Sequence, residues 1–82
     1  MSVMAQAEEL AIFGQNLIEL QAEFAGFANK VTSRLPQGCD TPAAKGVIEQ
    51  ASRLSGLLRQ CAELAGQTGA VAKQEAARLK GG

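Results

Sequence analysis

Eighty-two residues make one domain, and eight basic residues balance eight acidic ones, which removes the overall field that would draw the chain to nucleic acid or an anionic membrane. Three Phe, no Trp and a 46% hydrophobic fraction rich in Ala and Leu favour helix over strand and exclude wholesale disorder. Histidine is absent, so neither a Ser-His nor a Cys-His nucleophile pair can form within the chain, nor a histidine-containing metal site.

The first predicted element is a helix from about residue 3 to 35. Apolar residues recur every seven positions at Val3, Leu10, Leu17, Phe24 and Val31. A second row, Phe13, Leu20 and Phe27, lies three residues after members of the first. Together they read as the a and d positions of a heptad seam, with Met4, Ala11, Ile18 and Ala25 beside it. The opposite face carries Glu8, Glu9, Gln15, Asn16, Glu23, Asn29 and Lys30. Small residues (Ala7, Ala11, Gly14, Ala25 and Ala28) would let a second helix approach closely.

The segment 36–41 is expected to be an inter-helix turn. Pro36 stops the first helix, and Gly38 supplies a permissive backbone for the reversal. Thr41 followed by Pro42 matches a helix N-cap with proline in the first helical position, where its missing N–H is no loss. Cys39, alone in this segment, receives no role.

The second helix is expected from about 42 to 79, with 80–82 frayed and a kink conceivable where Gly66 and Gly69 stand three apart. Val47, Leu54 and Cys61 form one apolar row, and Leu57, Leu64 and Val71 the next. Ala51, Leu58, Ala65, Ala72 and Leu79 flank them. Cys61 reads as a small core residue on this seam. So short a connection returns the second helix antiparallel to the first, which would bring Glu8 and Glu9 alongside Lys73, Arg78 and Lys80.

These faces are wider than a two-helix seam can cover, so the hairpin is expected to pair with another hairpin in a four-helix assembly. The interaction face comprises Leu10, Phe13, Leu17, Leu20, Phe24, Phe27, Val31, Val47, Leu54, Leu57, Leu58, Cys61, Leu64 and Val71, while Pro36, Gly38, Thr41 and Pro42 shape the turn. No catalytic, metal or cofactor site is expected. The carboxylate pairs Glu8/Glu9 and Glu19/Glu23 occupy solvated positions. Lys45, Arg59, Lys73 and Lys80 share a stripe near Arg53, but without interleaved aromatics it is a poor phosphate track.

Two resemblances are local. The terminal RLKGG is similar to the tails of ubiquitin-like modifiers, which follow a β-grasp fold that has no counterpart in this helical pattern. CDTPAAKGV at 39–47 resembles in outline the turn of the WXG family of small type VII-secreted hairpins. Cys39 stands at the place of the Trp and Thr41 at that of the Gly, and the Tyr-containing C-terminal export motif is missing.

The expected function is that of a non-enzymatic protein–protein interaction module. It would be a self-associating hairpin, a homodimer that acts on another protein through its apolar helix face as adaptor, co-chaperone or inhibitory or regulatory protein. The alternative is a secreted or assembled structural subunit of a secretion-type complex. No apolar run is long enough for a membrane span. With no basic segment and apolar core at the start, and too few cysteines for a disulfide framework, a cytoplasmic location is expected, with export by a signal-less route as the alternative.

Overall fold

The computed structural model describes residues 2–81. It contains two helices, α1 (Val3–Ser33) and α2 (Pro42–Gly81), and no strand among the described residues. Each end has a local cause. Ser2 caps α1, its side-chain oxygen accepting from the Ala5 N–H at 3.1 Å, which satisfies one of the donors a helix start leaves unpaired. At the other end the Arg34 N–H still reaches the Lys30 carbonyl at 3.2 Å. Two residues later Pro36 has no N–H to give, and the helix ends at Ser33 rather than 35. Gly38 takes a φ of +77°, a left-handed conformation open to glycine at little cost. Thr41 starts α2: its side chain accepts from the Ala44 N–H at 3.1 Å and its carbonyl from the Lys45 N–H at 2.9 Å.

α2 runs without a break through Gly66 and Gly69, because both glycines face α1 and the close packing replaces what they lack in propensity. Lys80 and Gly81 are still helical where fraying was expected; Gly82 lies outside the described residues.

The helices pack against each other through their smallest residues. The buried hydrophobic residues are Ala7, Ala28, Ala62, Ala65, Ala72 and Ala76; Gly14, Ser55 and Gly69 are buried with them. A Cβ on Gly14 would lie 2.7 Å from the Gly69 carbonyl oxygen, and one on Gly69 would lie 2.7 Å from that of Gly14. Backbone therefore meets backbone here, an approach only glycine permits. Further along, the buried Ser55 hydroxyl donates to the Ala28 carbonyl at 3.2 Å and lies 3.0 Å from the Thr32 hydroxyl, which also reaches that carbonyl at 3.0 Å. The one buried hydroxyl of the seam is thus satisfied, as burial of a polar group requires.

This corrects the expected seam. The a row of α1 (Leu10, Leu17, Phe24, Val31) is only half-buried, at the edge of the contact, and the d row (Phe13, Leu20, Phe27) is exposed. The row after it, Ala7, Gly14 and Ala28, holds the centre. In α2 both expected rows face outward, and the centre passes to Ser55, Ala62, Gly69 and Ala76 with the flanking row of Leu58, Ala65 and Ala72. The physical reason is reach. Paired helices gain most contact where backbones come closest, and bulky side chains at the centre would hold them apart.

The contacts also set the relative shift. Gly14 meets Gly69, while Ala28 and Thr32 meet Ser55, so the end of α1 lies level with the residues just before Ser55. The first ten or so residues of α2 therefore project roughly 15 Å past α1, at 1.5 Å per residue. The longest dimension of the molecule, 62 Å, is accordingly the length of α2 alone. The connecting segment spans this projection, where Leu35 and Ile48 are half-buried.

Candidate docking face

With alanines inside, the large apolar side chains are left outside. Phe13, Leu57, Leu64 and Val71 are 53%, 53%, 63% and 62% exposed, and Val3, Met4, Ile12, Leu20, Phe27, Val47 and Leu54 are exposed as well. Most of them fall on one broad side. A groove of about 300 Å³ between the helices is lined by Phe13, Leu17 and Phe24 of α1 and by Cys61, Leu64, Ala65 and Thr68 of α2. Phe13 of the d row and Leu64 of the 57/64/71 row thus stand on opposite walls of this groove. Ile12 lies off this side, on the outer surface of α1.

The opposite side is polar. There the Arg59 guanidinium donates to the Asn29 side-chain oxygen at 2.8 Å, and the Lys73 ammonium donates to that of Gln15 at 2.5 Å. Gln21, Arg59 and Glu63 line the shallow hollow between the helices on that side.

No protein-family model matches this chain, and neither a curated protein nor a solved structure matches it. The reading of the face rests on its own geometry.

Of the residues expected on the interaction face, Phe13, Leu20, Phe27, Val47, Leu54, Leu57, Cys61, Leu64 and Val71 are exposed. Leu10, Leu17, Phe24 and Val31 form the half-buried shoulder, and Leu58 lies half-buried in the α1–α2 contact. Cys61 is therefore not a core residue of the chain. It is an exposed thiol on the wall of the apolar groove. Cys39 is exposed in the connecting segment.

The expected ion pairs of Glu8 and Glu9 with α2 do not form. Among the described residues the ion pair is local, Arg78 with Glu75. Their hydrogen bond holds the Glu75 carboxyl below its ordinary range and lifts Arg78 above its own. Glu9 instead borders the apolar side, lining a hollow with Gln6, Leu10 and Phe13. At the far end of the same row the Lys30 ammonium lies 5.7 Å from the centre of the Phe27 ring, a cation–π contact. Among the described residues no three metal-ligating side chains converge, and no helix is long and apolar enough to cross a membrane.

The chain exposes more surface than a compact chain of its mass would. A compact monomer of 8.5 kDa exposes about 4,700 Å², whereas this chain exposes 5859 Å². The excess, roughly 1,200 Å², comes with the rod-like shape of a lone helix pair, 62 × 17 × 14 Å.

The small residues of α1 were expected to admit a close helix, but the matching small row of α2 was not singled out. Ser55, Ala62, Gly69 and Ala76 repeat every seven residues, and Ala7, Gly14 and Ala28 keep the same period with Gln21 standing between Gly14 and Ala28. That signal was available beside the apolar one.

Proposed function

We propose that this protein is a non-enzymatic protein–protein interaction module. It is an antiparallel helical hairpin that self-associates through its apolar side into a four-helix assembly, a homodimer, and serves another protein as adaptor, co-chaperone or inhibitory subunit. The observation that carries the reading is the division of side chains: alanines within the hairpin, and Phe13, Leu57, Leu64 and Val71 outside it. A row of large exposed apolar side chains along one side of a helix pair is the kind of surface that another protein covers. Contacts of early α1 with late α2, and of late α1 with Ser55, support the antiparallel course. Net neutrality and the absence of histidine support a role that is neither nucleic-acid binding nor catalytic, and a cytoplasmic site of action accords with free thiols.

Sedimentation velocity over a range of concentrations tests this. A dimer at micromolar concentration is expected; a cooperatively folded monomer throughout would refute it. The elongated shape, 62 × 17 × 14 Å, favours a second reading, an assembled structural subunit, for which open-ended polymers would replace the dimer.

A further inference from the structure

We propose that the second copy lies on the apolar side with its long axis reversed, so that α1 packs on α1 and α2 on α2 about a dyad crossing the hairpin near Leu20 and Leu64. This rests on the self-association proposed above and names its geometry.

With their long axes aligned, as in a four-helix assembly, two identical faces meet about a dyad in two ways. An axis along the hairpin sets α1 of one copy on α2 of the other. An axis across it sets like on like and reverses the direction. Charge at the edge of the apolar side separates the two. Glu9 borders that side near one end of α1, beside Leu10 and Phe13, and Lys30 borders it near the other, over Phe27. They are three heptads apart, about 32 Å along the helix. A crosswise dyad midway between them brings Glu9 of each copy to Lys30 of the other, two opposite-charge pairs per dimer.

The lengthwise dyad does the reverse. Lys30 is level with the start of the contact at Ser55, so it would face Arg53, which follows the outer edge of Leu54 and Leu57. Glu9 would face the end of α2, where the Arg78 guanidinium is already held by Glu75. Like charges would be opposed at one end and little gained at the other.

The level of the dyad in α2 follows from the packing. Residues 19 and 20 precede Gln21, whose side chain fills the space over Gly66. On the apolar side of that level stands Leu64. The crosswise arrangement thus places Leu20 near its own copy and Leu64 near its own copy.

The test uses the full chain with Cys39→Ser and Cys61→Ser, adding Leu20→Cys or Leu64→Cys, and a short bismaleimide. Each single variant should cross-link to itself. Cross-linking only when the two variants are mixed would establish the lengthwise dyad and overturn the proposal. Independently, Glu9→Lys or Lys30→Glu alone should weaken the dimer by about tenfold, and the double exchange should restore it. No restoration would also overturn it. If the unmodified chain sediments as a monomer, the self-association itself fails. If it is a dimer that gives neither self-links nor charge rescue, self-association stands and this geometry falls.

Discussion

Replacing Gly14 by alanine should destabilise this protein, although the same change at an exposed helical glycine should stabilise it. In a helix interior alanine is favoured over glycine by about 0.8–1.0 kcal/mol. At Gly56 nothing lies within 4 Å of the new methyl, so Gly56→Ala should gain close to that amount. At Gly14 the methyl would sit 2.7 Å from the Gly69 carbonyl oxygen and 3.2 Å from the Ala72 Cβ. Neither is the mobile end of a side chain, so the helices must part. Overpacking of this kind costs about 1–3 kcal/mol, which cancels or exceeds the propensity gain. The two variants should therefore differ by that overpacking cost, or at least about 4 °C in Tm for a chain of this size. Gly66→Ala should fall between, because the atoms nearest its methyl belong to the Gln21 amide, which can swing away. Thermal melts of the three at one protein concentration are the assay, since association makes Tm concentration-dependent. A gain from Gly14→Ala equal to that from Gly56→Ala would refute the backbone-to-backbone contact.

Leu57→Asp should abolish assembly, since a carboxylate buried without a partner costs several kcal/mol, whereas Gln60→Glu should do little; equal sedimentation profiles would mean that the apolar side is not covered. Thiol titration with a disulfide reagent should find Cys39 reactive at every concentration and Cys61 increasingly protected as concentration rises; constant reactivity of both would place Cys61 outside the interface. Thr41→Ala should lower stability by about 1 kcal/mol through the lost cap without changing the association state, read by chemical denaturation and sedimentation.

The helices and their starts were legible because local rules govern them. Pro36, Gly38 and the Thr41–Pro42 pair act on their immediate neighbours, and a seven-residue apolar period sustained from Val3 to Val31 admits little but helix. Facing was harder to read. Leu10, Phe13, Leu57 and Leu64 are apolar whichever helix covers them, and periodicity assigns an apolar side without saying what packs on it. Two competing seams were written in the same turns, and the larger side chains drew the assignment. The choice was made by backbone approach at Gly14 and Gly69, which depends on the relative shift of two helices far apart in sequence. Even the misplaced Cys61 follows from this: its row is apolar, but turned away from α1.

The projecting start of α2 makes the length of the tether between the helices adjustable. Isolated helices of ten or so residues are marginal in water, so this end owes its order to the Thr41 cap and to continuation of the helix beyond it. Unwinding from Thr41 towards Ser55 would surrender the backbone hydrogen bonds of that stretch, the Thr41 cap among them, and the half-burial of residues such as Leu35, Ile48 and Ala51, while the contacts at Gly14, Gly69 and Ser55 stayed in register. The eight-residue segment 34–41 could then grow to about twenty, converting helix into slack. A body bound at this end could move by tens of ångströms at the roughly 3.3 Å per residue of extended chain, without loosening the paired helices behind it.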